Sequence, residues 1–118
     1  MSSPEIASRF VEFNGLKIHY HEAGAGPALI FLHGGGPGSS GLNTFSRNMA
    51  AFADRHRVIT IDLPDYGQSS KLKISEPLWG YYAKVVAGFI DALGLGKAHL
   101  IGNSMGGAVS LKTALDFP

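Results

Sequence analysis

The sequence predicts an α/β fold in which a β-hairpin is followed by three parallel strands that alternate with helices. The pair Asn14 and Gly15 separates two runs of alternating apolar and polar residues, which is the strongest short-range signal for a hairpin. Three short apolar runs, ALIFL at 28–32, RVITI at 57–61 and AHLI at 98–101, are typical of strands buried on both faces. Amphipathic helical patterns lie between and after them, which favours a parallel sheet with helices on both faces.

Three helices are expected between and after these strands. The first covers about residues 42–54, and the last covers residues 105–117. The middle helix is predicted to be capped by Ser75, to carry Pro77 in its first turn and to end before Gly94. The apolar faces of the first two helices comprise Leu42, Phe45, Met49 and Phe52, and then Leu78, Tyr82, Val85 or Val86, Phe89 and Leu93.

Composition favours one globular domain over residues 1–118, because hydrophobic residues make up 45% of the chain and charged residues only 16%. The net charge of +1 and the lack of a run of about 20 apolar residues argue against nucleic-acid and membrane partners. The chain has no cysteine, which excludes disulfides and thiolate chemistry. The N-terminal residues MSSPEIASRF lack the basic and apolar regions of a signal peptide, so we expect a cytoplasmic location.

The stretch LIGNSMGGAV at 100–109 places Ser104 between the third buried strand and the last helix. A serine on such a sharp turn is lifted clear of the sheet, and Gly102 and Gly106 remove side chains that would collide there. Gly107 is expected to let the helix pack close to the strand. This pattern predicts a nucleophilic serine, with the N–H of Met105 facing a developing oxyanion. The alternatives are a turn that merely packs or one that binds phosphate, although the Gly-Lys-Ser/Thr of a phosphate loop is absent.

The stretch HGGGPG at 33–38 follows the first buried strand. Glycines let main-chain N–H groups turn inward, and this loop is a known source of the second oxyanion donor in acyl-transfer sites. A flexible turn is the simpler alternative. Because the carboxyl ends of parallel strands lie at one edge of a sheet, the two glycine-rich elements are expected to meet there.

These motifs resemble the α/β-hydrolase family across essentially all 118 residues. The matching stretches are HGGGPG, VITIDLPDYGQS at 58–69 and LIGNSMGG, in that order. Within the family, the three glycines, Asn103 before the serine and FSRN at 45–48 are most similar to hydrolases of meta-cleavage products. Those enzymes cleave a carbon–carbon bond in 2-hydroxy-6-oxo-dienoates from aromatic ring fission. Haloalkane dehalogenases and epoxide hydrolases carry Asp at the elbow and are disfavoured.

The resemblance implies roles for particular residues. Ser104 would be the nucleophile or would orient substrate for attack by water, and Gly35 and Met105 would donate the oxyanion-hole N–H groups. Asn103, Gly36 and Arg47 would lie near the dienol or carboxylate end of a small-molecule substrate. The reaction would be ketonisation, attack on the C6 ketone and retro-Claisen fragmentation, without a cofactor.

The chain departs from the family pattern at several places, of which Ser69-Ser70 in place of the usual SD or SR is a minor one. Leu42 and Thr44 stand where members often carry Trp and Asn, with Asn43 shifted by one position. The usual PGxG turn after the second buried strand is PDYG, with Asp65 in place of glycine. Asp tolerates left-handed backbone better than most residues, so we expect this turn to be kept.

The acid and base of a catalytic triad are not found after Ser104. No histidine follows it, and Asp116 lies on the same predicted helix, about 18 Å away at 1.5 Å per residue. Among the upstream histidines, His33 is expected to brace the glycine loop rather than act as the base. His19, His21, His56 and His99 are expected to be structural or solvated, no metal site is expected, and Asp62 is expected to cap its turn.

We therefore expect the N-terminal portion of a longer hydrolase domain, with the lid and later strands absent and little activity alone. With the later strands absent, the third buried strand would leave one edge of the sheet unpaired. This edge is expected to cause poor solubility or association into a homo-oligomer. Two alternatives remain open at this point. One is an ester or lactone hydrolase of the same fold, and the other is an inactive fragment that acts as a binding module.

Overall fold

The computed structural model describes residues 5–118, which form one five-stranded sheet and three helices. In chain order the elements are β1 (Ala7–Phe13), β2 (Leu16–Ala23), β3 (Ala28–Leu32), α1 (Gly41–Phe52), β4 (Arg57–Ile61), α2 (Leu78–Ala92), β5 (Ala98–Gly102) and α3 (Met105–Asp116). Each predicted strand and helix is present, with shifts of one or two residues at several ends. The α/β fold class is confirmed.

The sheet order is β1-β2-β4-β3-β5, and β3 pairs in parallel with both β4 and β5. The predicted hairpin of β1 and β2 joins this sheet through antiparallel pairing of β2 with β4, so the whole sheet is mixed. Asn14 and Gly15 have φ values of 50° and 78°, as the tight turn of a two-residue hairpin requires.

Helices cover both faces of the sheet, as predicted. On one face α2 and α3 pack Val86, Phe89 and Val109 against Ile30 and Ile61, all of which are fully buried. On the other face α1 packs on β3 and β4 through a second buried cluster. That cluster comprises Ala23, Leu29, Phe31, Phe45, Met49, Ala53 and Val58.

Two expectations about these elements are wrong. β5 is not buried on both faces: His99 and Ile101 are exposed, because β5 is the edge strand and α1 lies over β2, β3 and β4 instead. Ser75 does not cap the middle helix, since α2 begins at Leu78 with Pro77 at the capping position and no side-chain cap. Gly94, with a φ of 64°, follows the end of α2 as predicted.

Candidate active site

Ser104 occupies a strained turn between β5 and α3. Its φ and ψ are 56° and −112°, a region that side-chain-bearing residues rarely adopt, and the residue is exposed. α3 begins at the next residue, Met105, so the positive end of the helix dipole lies beside the serine. The predicted elbow geometry is therefore present, with the serine at the surface rather than in the core.

The two glycines that flank Ser104 are required by close backbone contacts. A Cβ atom on Gly102 would overlap the carbonyl group of Gly106, and a Cβ atom on Gly106 would overlap the carbonyl group of Leu32. The packing argument for Gly107 does not hold, because a Cβ atom there would lie 3.5 Å from the Gly102 oxygen, an ordinary contact.

The glycine loop that follows β3 lies against this elbow. The N–H of Asn103 donates a 3.1 Å hydrogen bond to the carbonyl oxygen of Leu32, which ties the end of β5 to the start of the loop. A Cβ atom built on Gly34 would lie 3.7 Å from the Cβ of Ser104, and one built on Gly35 would lie 3.1 Å from the Sδ of Met105. The two motifs are thus in contact, as their places at the ends of paired strands predicted.

The N–H groups of Gly35 and Met105 are free of main-chain partners. Within residues 5–118, neither donates to a backbone carbonyl, and Met105 is the first residue of its helix and so has no intrahelical acceptor. An oxyanion hole requires N–H donors of this kind. Here they lie on two segments that are in contact next to the exposed hydroxyl of Ser104.

His33 braces the glycine loop, as the sequence predicted. Its imidazole is fully buried, and its Nε2 accepts a 3.1 Å hydrogen bond from the N–H of Leu63. This leaves Nδ1 as the donor to the carbonyl oxygen of Gly34, at 2.7 Å. Burial lowers the pKa of His33, outweighing the hydrogen bond to Gly34 and the charge of Asp62, which raise it. Both ring nitrogens are engaged, so His33 is not placed to activate Ser104.

Tyr66, in the PDYG turn after β4, was not identified from the sequence. Its hydroxyl donates a 2.8 Å hydrogen bond to the carbonyl oxygen of Gly35, and its ring packs edge-on against His33 at 4.9 Å. The turn that presents Tyr66 survives the change from glycine, because Asp65 adopts a φ of 79°. The position of Tyr66 at the carboxyl end of a buried strand was the available signal.

Asp62 anchors the elements behind the site. Its buried carboxylate accepts hydrogen bonds from the N–H of Gly41 at 2.9 Å and from the N–H of Gln68 at 3.2 Å. It also lies 2.7 Å from the Nδ1 of His19 on β2. Asp62 therefore caps its turn, as predicted, and also fixes the start of α1 and the hairpin.

The predicted substrate-binding residues differ in where they lie. Asn103 and Gly36 are exposed at the elbow and in the glycine loop, respectively. Arg47 is exposed on α1, two residues from both Phe45 and Met49, which face the sheet. Arg47 therefore points away from the packed side of its helix, and in the part of the chain that the structure describes it forms no hydrogen bond or ion pair with the elbow. Within residues 5–118, no group of three or more metal-ligating side chains is placed to hold an ion.

Comparison with protein-family models defines the class. Residues 27–118 match the model of the α/β-hydrolase fold, so the chain belongs to that family. None of the helices in the described residues is long and apolar enough to cross a membrane.

Within this family, the chain is similar to two kinds of named hydrolase. The chain is similar to a 2-hydroxy-6-oxo-6-phenylhexa-2,4-dienoate hydrolase of Comamonas testosteroni, with 47% identity over 86% of this chain and 36% of that protein. It is also similar to a 2-hydroxy-6-oxononadienedioate/2-hydroxy-6-oxononatrienedioate hydrolase of Burkholderia vietnamiensis, with 45% identity over 87% of this chain and 36% of the relative. The chain thus spans little more than a third of the length of these relatives.

Solved structures of hydrolases also superimpose on this chain. A serine hydrolase involved in carbazole degradation superimposes with a TM-score of 0.90 and 32% identity, covering 96% of this chain and 44% of that one. The 2-hydroxy-6-oxo-6-phenylhexa-2,4-dienoate hydrolase of Rhodococcus sp. strain RHA1 superimposes with a TM-score of 0.88 and 30% identity. That match covers 97% of this chain and 43% of the other.

Proposed function

We propose that this chain supplies the nucleophile and the oxyanion hole of a hydrolase that cleaves a carbon–carbon bond in 2-hydroxy-6-oxo-dienoates. The observation that carries the proposal is Ser104, exposed in a strained turn beside the free N–H groups of Met105 and Gly35. Backbone strain of this kind costs about 1–3 kcal/mol and persists where the surrounding structure and function require it.

The proposed chemistry uses both donors. After ketonisation of the dienol, the C6 ketone would lie against Ser104, with its oxygen facing the N–H groups of Gly35 and Met105. Attack by Oγ, or by a water molecule that Oγ orients, places negative charge on that oxygen, and the two donors stabilise it. Retro-Claisen fragmentation then breaks the C5–C6 bond and releases a hydroxydienoate. After attack by water the other product is the free carboxylic acid, whereas after attack by Oγ it is an acyl-serine ester that a water molecule hydrolyses to the acid.

Ser104 needs a base, because a neutral serine hydroxyl is a weak nucleophile. His33 does not supply it, since its nitrogens are held by Gly34 and Leu63. We expect the base and its acidic partner to come from the region of the relatives that this chain does not match. The chain alone is accordingly expected to show little turnover.

The proposed substrate class rests on the relatives rather than on the fold. The similar structures include a membrane phospholipase A, so the fold is shared by enzymes that act on other compounds. The curated relatives at 43–47% identity are named as dienoate hydrolases. Asn103 at the elbow and Gly36 in the glycine loop are both exposed and are proposed to contact the dienoate. Arg47 points away from the packed side of α1, so it is proposed only to attract the carboxylate at longer range, without a contact.

The test is a chimera in which residues 1–118 replace the matching segment of the Comamonas testosteroni relative. We expect it to hydrolyse 2-hydroxy-6-oxo-6-phenylhexa-2,4-dienoate in preference to a p-nitrophenyl ester, and Ser104→Ala to abolish that turnover. Ser46→Ala, at an exposed serine on α1, is the matched control. A folded chimera that prefers the ester would favour the ester or lactone hydrolase alternative, and undiminished dienoate turnover in Ser104→Ala would refute the role of Ser104.

A further inference from the structure

A second serine, distant in sequence from Ser104, forms a relay with a buried histidine and a buried carboxylate. The Oγ of Ser8 on β1 lies 2.7 Å from the Nε2 of His19 on β2. The Nδ1 of His19 lies 2.7 Å from the Oδ2 of Asp62, just after β4. Three neighbouring strands therefore bring together a hydroxyl, an imidazole and a carboxylate in a line of two short hydrogen bonds.

The direction of both hydrogen bonds follows from the partners of Asp62. Its two oxygens already accept the N–H groups of Gly41 and Gln68, as an ionised carboxylate does. The Nδ1–H of His19 is then the donor to Asp62, and in the neutral imidazole Nε2 carries the lone pair. Ser8 accordingly donates its hydroxyl proton to Nε2, which is the arrangement of an activated serine nucleophile.

Burial distinguishes this relay from a solvent-exposed pair. His19 is fully buried and Asp62 is nearly so, while Ser8 is exposed. The side chains of Ile6 and Phe10, two residues to either side of Ser8, are also exposed and apolar. Phe10 shares the Ser8 face of β1, and Ile6 immediately precedes the strand. The Phe10 ring packs against the His19 imidazole with centroids 4.8 Å apart. The exposed hydroxyl of Ser8 is thus flanked by apolar side chains, and the imidazole to which it is hydrogen-bonded is shielded from water.

We propose that Ser8 is a nucleophilic acylation site that accepts the acyl group of small aryl esters, independently of Ser104. In the step, Oγ of Ser8 forms a bond to the acyl carbon while the bond from that carbon to the aryl oxygen breaks. The proton of Oγ passes to Nε2 of His19 and then to the departing phenolate, which leaves as a phenol. Alternate N–H groups along the open edge of β1 face solvent and are available to the oxyanion. Without a built oxyanion hole, acylation is expected to stop near one acyl group per chain.

The experiment uses the Ser104→Ala chain, so that its outcome does not depend on the proposed hydrolase function. The chain is incubated with p-nitrophenyl acetate, digested, and acetylation at Ser8 is compared by mass spectrometry with acetylation at Ser46. Ser46 is an exposed serine on α1 in the same molecule and serves as the internal control. General-base assistance typically contributes about 10²–10⁴-fold, so we expect about 100-fold more acetyl at Ser8 than at Ser46, or a larger excess.

Two further measurements keep the test independent of any folding defect. Unfolding the same chain in urea is expected to bring the Ser8 to Ser46 ratio close to one. His19→Gln is expected to do the same while the circular dichroism of the fold is retained. Equal acetylation of Ser8 and Ser46 in the folded Ser104→Ala chain would overturn the proposal, as would a high ratio that persists in urea.

Discussion

The Nδ1 atom of His33 lies 2.7 Å from the carbonyl oxygen of Gly34. In a trans peptide the C=O and the following N–H point in opposite directions, so this hydrogen bond also sets the direction of the Gly35 N–H. The hydroxyl of Tyr66 fixes the next peptide through the Gly35 carbonyl oxygen. The side chains of His33 and Tyr66 thus hold the main-chain donor that the proposed reaction uses, and we expect His33 to act as a positioning residue.

Replacing His33 by glutamine in the chimera is expected to lower kcat for the dienoate by about 10- to 100-fold, with little change in KM. The loss approaches that for removing one oxyanion donor, because the Gly34–Gly35 peptide becomes free to rotate. His99→Gln, at an exposed position on β5, is the control and is expected to keep full activity. Equal activity of the two variants would show that His33 does not position the donor.

The lowered pKa of His33 predicts how the free energy of unfolding depends on pH. Burial holds the pKa of His33 below that of the unfolded chain, which is about 6.5. Below that pH the unfolded state binds more protons than the folded state, so the free energy of unfolding falls as pH decreases toward the folded pKa. Urea unfolding at about pH 7.5 and 5.5 measures the effect. His33→Gln is expected to show a smaller loss, and His21, whose pKa burial also lowers, accounts for part of the remainder. If His33→Gln lost as much stability between these two pH values as the wild type does, His33 would not be the source of the pH dependence.

The elbow glycines give a stability series with a built-in control. Gly102→Ala and Gly106→Ala place a methyl group into backbone atoms that have little freedom to move, and each is expected to cost about 3 kcal/mol or more. Gly107→Ala adds a methyl at ordinary contact distance within α3, and is expected to be neutral or to stabilise by about 0.5–1 kcal/mol. Chemical denaturation of the three variants tests this order, and similar losses at all three positions would contradict it.

Ser104 itself is expected to reduce stability. Glycine adopts its backbone conformation without the penalty that a Cβ atom brings, so Ser104→Gly is expected to raise the free energy of unfolding by about 1 kcal/mol. Ser104→Ala keeps the Cβ atom and is expected to change stability little. Denaturant titrations of both variants make the comparison, and a Ser104→Gly chain no more stable than Ser104→Ala would show that the turn is unstrained.

The sequence predicted those features that short-range patterns determine. Asn14-Gly15 identified the hairpin, and the spacing of Gly102, Ser104 and Gly106 identified the elbow. It predicted an unpaired edge at the third buried strand but not the exposure of Ile101 on β5, because that exposure depends on which helices lie over the neighbouring strands. The relay from Ser8 through His19 to Asp62 was also missed, because it joins residues of β1, of β2 and of the turn after β4 that are far apart in the sequence.

The open edge predicts self-association of the 118-residue chain. Beside β5, whose Ile101 is 42% exposed, α3 presents Leu111 and Leu115 with exposed fractions of 70% and 78%. Unpaired strand edges and apolar patches favour pairing with a second copy. Sedimentation velocity is expected to show dimers or larger species, and Leu111→Glu with Leu115→Glu is expected to shift them toward monomer. A wild-type chain that stays monomeric at high concentration would contradict this expectation.

The most direct test of the central claim is a crystal structure of the chimera with a phenylboronic acid bound. We predict a boron atom bonded to the Oγ of Ser104, with one boronate oxygen about 2.7–3.1 Å from the N atoms of both Gly35 and Met105. A boronate bound elsewhere, or one whose oxygens face neither N–H group, would contradict the assignment of Ser104 and of the oxyanion hole.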